Sequence, residues 1–307
     1  MAKRKKSTSS KSKNDTRVAS IILGLFAAAI ILFFIFTKAK EPQKVPHKVN
    51  MVAASTGLGE THIPYENSRP LEPSLPASLP PPGKGGKIAI IIDDWGQTTA
   101  NCKYLGEIPE PLAVSILPGL RHTKDVANCA KLYHKLTMLH LPLEALHNYD
   151  LYPPDYIIKT TMKAALVSKI VDDDLAQLPS IEGVNNHMGS KATGDKALMK
   201  IIFKKIKKKG LFFVDSMTAH NSICTVLADD MGLTFGKRDV FLDNINTPEA
   251  ITKQFMVLAK KARRRGYAVA IGHDRHLTMQ VIKEEIPLLE NQGFEIVSIK
   301  ELLKNKS

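Results

Sequence analysis

IAIIIDDWG, residues 88–96, runs a string of aliphatic residues straight into two adjacent carboxylates, Asp93 and Asp94. Two carboxylates a few ångströms apart do not both ionise cheaply unless a cation lies between or beside them. The same design recurs down the chain. His140 stands near the end of TMLHLP (137–142), and Asn185, Asn186 and His187 end IEGVNNH (181–187). Asp215 and Ser216 end LFFVDS (211–216), Asp243 lies near the end of VFLDN (240–244), and His273 ends YAVAIGH (267–273). Carboxylate with imidazole suits zinc and related borderline divalent ions. Beside such an ion one Asp ligates while its neighbour acts as base on water whose pKa falls toward about 7. A second His then protonates a leaving amine. Together these groups describe a metal-assisted hydrolase of an amide or an ester.

Other chemistries fit less well. A phosphatase of the haloacid dehalogenase type needs an Asp-x-Asp nucleophile motif, and here the carboxylates are adjacent. No Gly-x-Ser-x-Gly elbow is present for a Ser-His-Asp hydrolase. A two-carboxylate glycosidase would pair Asp93 or Asp94 with Glu144 or Asp215, but the His-rich rim favours a metal.

The elements that must bring these residues together are legible as apolar runs alternating with helix-length amphipathic stretches. KIAIIID (87–93), LAVSILP (112–118) and FEIVSI (294–299) complete the set of strand candidates. IIFKKIKKKG (201–210) and PEAITKQFMVLAKKARRRG (248–266) are helical patterns with Gly210 and Gly266 as stops. The Lys run 204–209 and Arg263–Arg265 read as solvated helix ends. Continuous apolar strands alternating with helices imply a parallel sheet covered on both faces. The expected fold is therefore α/β, a compact, irregular or incomplete (β/α) barrel of seven to eight strands over 87–307. An open doubly wound sheet is the alternative, although DDWGQTT is no phosphate-binding loop. In such a barrel the C-terminal strand ends converge on one face, which is where the polar residues fall.

Ahead of the barrel the texture differs. Residues 1–17 hold seven Lys/Arg against Asp15 alone, so most of the formal charge of +13 lies before residue 87. A mildly basic barrel argues against nucleic acid as a partner. VASIILGLFAAAIILFFIFT (18–37) is long enough to cross a bilayer, and longer than the apolar core of a cleaved signal peptide. The positive-inside rule keeps the basic tail (1–17) in the cytoplasm. It makes 18–37 a single-pass signal anchor in a bacterial inner membrane, with the barrel on the periplasmic or extracytoplasmic side. Residues 38–86 end in RPLEPSLPASLPPPGKGGK, the composition of an extended, Pro-rich tether without a core. Cys102, Cys129 and Cys224 are scattered and odd in number, and read as small buried hydrophobes with room for at most one bridge.

IAIIIDDWG, SILPG (115–119), HLPLE (140–144), GVNNHMGSKAT (183–193), FVDSMT (213–218), RDVFLDN (238–244) and AIGHDRHLT (270–278) occur in that order. Over 87–304 the chain resembles the divergent polysaccharide deacetylase family, a branch of the glycoside hydrolase/deacetylase superfamily of (β/α) barrels. The resemblance implies metal-dependent removal of acetyl groups from a polysaccharide, with Asp93 as base and Asp94 as metal ligand. It carries His140 over as a ligand from a motif of two His separated by three residues. Glu144 occupies the second His position, where it would ligate through oxygen, and His187 would supply the missing imidazole. Ile271-Gly272-His273 resembles the family's Leu-His motif and makes His273 the general acid. Asn185, Asn186, Asp215 and Ser216 are left to grip sugar hydroxyls. Trp95 either stacks on a sugar ring or covers the barrel mouth. The expected protein is an anchored, zinc-dependent deacetylase of acetylated cell-envelope polysaccharide or peptidoglycan. The alternative is a non-catalytic glycan-binding or envelope-assembly protein on a degenerate barrel.

Overall fold

The computed structural model describes residues 85–147, 156–178 and 180–304. The basic tail (1–17), the expected membrane span (18–37) and nearly all of the expected tether (38–86) lie outside them. Among the described residues no helix is long and apolar enough to cross a membrane.

Nine parallel strands alternate with helices. In chain order they are β1 (Gly86–Trp95), α1 (Cys102–Glu107), β2 (Leu112–Ile116), α2 (Thr123–Leu132), β3 (Leu136–Leu143), α3 (Ala164–Gln177) and β4 (Gly183–Met188). There follow α4 (Lys196–Lys208), β5 (Phe212–Asp215), α5 (Cys224–Met231), β6 (Phe235–Lys237), β7 (Val240–Phe241) and α6 (Pro248–Arg265). The chain ends with β8 (Tyr267–His273), α7 (His276–Asn291), β9 (Phe294–Ile296) and α8 (Ile299–Lys304). The sheet order is β6-β5-β4-β3-β2-β1-β8-β7, with β9 paired to the first residues of β1.

β6 pairs only with β5 and β7 only with β8, so the ring is an incomplete barrel. Between them the Arg238 amide donates to Asp215 O and the Asp239 amide to Val269 O, so one short segment crosses the seam. The sequence pattern shows the 240–244 run but not β6, whose three residues have too little apolar content to stand out.

Alternation along the strands builds two cores. Ala89, Ile91, Ala113, Met138, Val214, Val269 and Ile271 face the barrel interior, joined by Val297, Ile299, Leu302 and Leu303 from the chain's last turns. Ile88, Ile90, Ile92, Leu139, Leu141, Val184 and Phe213 face outward, under the helices. Burial on both faces is why these strands read as continuous apolar runs rather than alternating ones.

Local signals place the helices. Asp195 caps α4 by accepting from the Leu198 amide, which starts that helix five residues before the predicted apolar face. α6 begins with a Thr247 cap and Pro248, and stops at Gly266 in the left-handed conformation, φ 80°.

Candidate metal and acid–base site

Inward parity continues past the apolar layer. The next inward positions are Asp93, Ser115, His140, Asn185, His187 and His273, which form a polar layer at the C-terminal strand ends. Simple alternation would send Asp94 outward with Ile92, away from Asp93. Two features prevent this. The β1–β2 register slips between Ile92 and Trp95, and Asp94 has φ 63°. This is a β-bulge, a device that re-aims a side chain beside a site, and Asp tolerates the left-handed region better than most residues.

Asp94 Oδ1 lies 2.9 Å from His187 Nδ1 and 3.1 Å from His140 Nε2, and those two nitrogens are 3.2 Å apart. Ligands about 2.0–2.1 Å from a tetrahedral ion are separated by roughly 3.3 Å, so the triangle fits a small divalent cation. The chemistry of the donors agrees. His140 Nδ1 pairs with Asn185 Oδ1 at 2.9 Å, an acceptor that requires the proton on Nδ1 and leaves a lone pair on Nε2. Such a partner orients a metal-binding imidazole and raises its basicity. Asp94 Oδ1 is buried and has no hydrogen-bond donor of acceptable geometry, a costly position that a cation would relieve. The two imidazole contacts to that oxygen are ion pairs only if the rings are protonated. Burial lowers the His140 pKa, but Asp93, Asp94 and the Asn185 bond raise it overall.

Asp93 lies beside this triangle. Its Oδ1 accepts from Asn185 Nδ2 at 2.8 Å and its Oδ2 is 3.6 Å from His140 Nε2. Burial pushes its carboxyl above the usual range, and the Asp94 charge adds to this against the pull of His140 and His273. Burial acts the same way on Asp94, but the His140 and His187 imidazoles beside it outweigh burial and hold Asp94 well below that range. One carboxylate is thus biased to keep a proton and its neighbour to remain charged, a split that marks acid–base sites.

His273 faces the pair from β8. Its Nδ1 is 2.7 Å from Asp243 Oδ1, and its backbone amide donates to Asp243 Oδ2. Thr278 also donates to Asp243, which is fully buried. Burial lowers the His273 pKa, but the Asp243 bond and charge, with Asp94 and Asp93, raise it overall. Nε2 is left on the side of the ring away from Asp243. Phe241 stacks on the imidazole, and the Arg238 guanidinium carbon lies 3.6 Å from the centre of the Phe241 ring. Asp243 was visible in the sequence at a strand end but without a role. Arg238 was hidden because an Arg before a short strand has no signature.

Several expectations need correction. Glu144 does not join the triangle. Its carboxylate accepts from the Thr160 amide and hydroxyl, both at 2.7 Å, and from Lys191 Nζ at 2.9 Å, tying two loops together. Trp95 neither stacks on a ligand nor covers the mouth, because the bulge turns it outward into the helix-covered core, where it is fully buried. Asp215 shares the outward parity of Phe213 and accepts from the Met217 amide and Ser222 hydroxyl. Asn186 has the parity of Val184 and accepts from the Ser216 amide, while the Ser216 hydroxyl donates back to Asn186 O. Asn186 and Ser216 thus tie β4 to the residue after β5, and Asp215 holds the loop that follows β5. Asn185 is at the site, but its amide is committed to Asp93, His140 and Ser115.

Residues 90–303 match the family model described as divergent polysaccharide deacetylase. The chain belongs to that family. It is 30% identical over 209 residues to the uncharacterized protein YibQ of Escherichia coli (strain K12), covering 68% of this chain and 65% of that protein. It is also 30% identical over 220 residues to an uncharacterized protein of Haemophilus influenzae, covering 72% of this chain and 78% of the relative. The fold is shared with uncharacterized protein ATU2773 of Agrobacterium tumefaciens C58, with a TM-score of 0.68, 21% identity, and coverage of 72% and 90%.

Proposed function

We propose that this protein is a zinc-dependent deacetylase of acetylated cell-envelope polysaccharide, peptidoglycan included. The observation that carries this reading is the Asp94–His140–His187 triangle with Asp93 on one side and the His273–Asp243 pair on the other. A divalent ion held there would polarise the acetyl carbonyl and lower the pKa of water. Asp94, His140 and His187 would be its ligands, and Asn185 holds both His140 and Asp93 in place. Asp93 takes the proton of the attacking water, and its raised pKa suits a base working nearer neutrality. Asp243 keeps the imidazolium of His273 stable, so that its Nε2 proton passes to the departing nitrogen. Acetate and a free amine on the sugar result. For an ester substrate the same proton passes to oxygen.

The apolar segment 18–37 and the tether after it support an anchored enzyme. The barrel would work on the outer side of a bacterial inner membrane, on a polymer that does not diffuse to it. Acetate release from N-acetylated glycan by the full chain loaded with zinc tests the activity. Absence of turnover with zinc bound at about one ion per chain would reduce the protein to a glycan-binding barrel. Protease digestion of the barrel in intact spheroplasts tests the topology.

A further inference from the structure

The notable thiols are away from the metal ligands. Cys224 is fully buried, and burial pushes its thiol up to about 12, as expected of an inert core cysteine. Cys102 and Cys129 are not the buried hydrophobes the sequence suggested, since both are partly exposed. They sit on two neighbouring helices, and the Cys129 thiol is close enough to that of Cys102 to act on it directly.

The helix register explains the contact. Gly106 lies four residues, one turn, after Cys102 on α1. Tyr133 lies one turn after Cys129, its amide bonded to Cys129 O. The Tyr133 ring lies so close to Gly106 that a Cβ there would be 2.5 Å from Tyr133 Cε1. Two helices that follow parallel strands therefore touch at Gly106–Tyr133, and one turn earlier at Cys102–Cys129. The missing side chain at Gly106 makes room for the Tyr133 ring and lets α1 and α2 pack directly against each other, and a disulfide between them closes where its Cα atoms come within about 4.4–6.8 Å.

We infer that Cys102 and Cys129 are a modification site, a dithiol that closes to a disulfide and staples α1 to α2. The oxidant is a small or protein disulfide. Cys129 attacks one of its sulfurs as thiolate and expels one thiol. Cys102 then attacks Cys129 Sγ and expels the second. Two protons and two electrons leave the cysteines and appear on the two released thiols. The inference rests on helix packing and is independent of metal binding or deacetylation. Its effect would reach the mouth, because Asn101 Nδ2 donates to Asp274 Oδ1 at 2.7 Å and the Asp274 amide donates to Asp93 O. Closing the bond would fix the turn over 96–101, of which residues 97–100 are exposed.

The test uses the full chain, equilibrated with reduced or oxidised glutathione, blocked with N-ethylmaleimide and mapped by peptide mass. At the oxidised end a Cys102–Cys129 cross-linked peptide is expected, two hydrogens lighter than its parts, with Cys224 alkylated only after denaturation. The thermal midpoint of the oxidised chain should rise by about 5–10 °C, the range for closing a loop of this size. In Cys102→Ser, Cys129 should carry one glutathione and the midpoint difference should vanish. Separate glutathione on each cysteine, free thiols at both positions, or a cross-link between two chains would each overturn the inference. So would a midpoint difference that persists in Cys102→Ser. The wild-type peptide map decides the matter even if that variant does not fold.

Discussion

Asn185 and Asn186 are neighbours on β4, equally buried, and they do different work. Asn185 faces inward and joins Asp93, His140 and Ser115 at the mouth. Asn186 faces outward and ties β4 to Ser216, the residue just past the next strand. The two regions they belong to contrast in the same way. Around β1, β3, β4 and β8 the polar atoms converge and leave lone pairs open. Between β4 and β5 the same residue types satisfy one another completely. A strand-end Asp or Asn is therefore functional or structural according to its parity, and its residue type alone does not decide.

The contrast can be broken by mutation. The largest effect is expected for His140→Ala, which should reduce bound zinc from about one ion per chain to background and abolish acetate release. Chelation of the wild type should do the same, with recovery on adding zinc back. If metal content survives His140→Ala, the ligand triangle is wrong. Asp93→Asn comes next. It should keep the metal and lower kcat by about 10²–10⁴-fold, the usual contribution of a general base.

Asp243→Asn should lower kcat by at least about 10-fold and change the pH profile in a defined direction. His273 must be protonated to act, and its pKa is raised above its ordinary value, so activity falls as pH rises through that raised value. Removing the Asp243 charge lowers the His273 pKa and moves the alkaline limb to lower pH. The acid limb, set by Asp93, should stay where it is. A profile shifted on neither limb would reduce Asp243 to a packing residue.

On the structural side, Asp215→Ala should leave metal content and kcat near wild type but destabilise the fold by about 1–3 kcal/mol in denaturant titration, because it strands the Met217 amide and Ser222 hydroxyl. Glu144→Gln is the smallest case. It loses an ion pair to a half-exposed Lys191, worth about 0–1 kcal/mol, and should keep full zinc binding. Loss of zinc in either variant would erase the distinction between the two regions.

Much of this was legible in the chain itself. Apolar runs located eight of the nine described strands, and Gly266 marked the end of α6. The order of Asp93, Asp94, His140, His187 and His273 at strand ends pointed to one rim, because a parallel barrel gathers those ends whatever the loops do. The errors share a cause. Glu144 was placed at the site by spacing and Trp95 by adjacency, and both arguments assume that an undisturbed strand continues. The bulge at Asp94 broke that assumption for Trp95, and loop contacts to Thr160 and Lys191 claimed Glu144.

Sequence alone determined the class of fold and the family, and it pointed to most of the residues that gather at the rim, since periodicity and motifs depend on local residues. Tertiary structure decided which of two adjacent polar residues turns inward, which third side chain completes the triangle, and which cysteines lie together. Those outcomes depend on register between strands and between helices, a relation among distant segments that no single stretch of residues encodes.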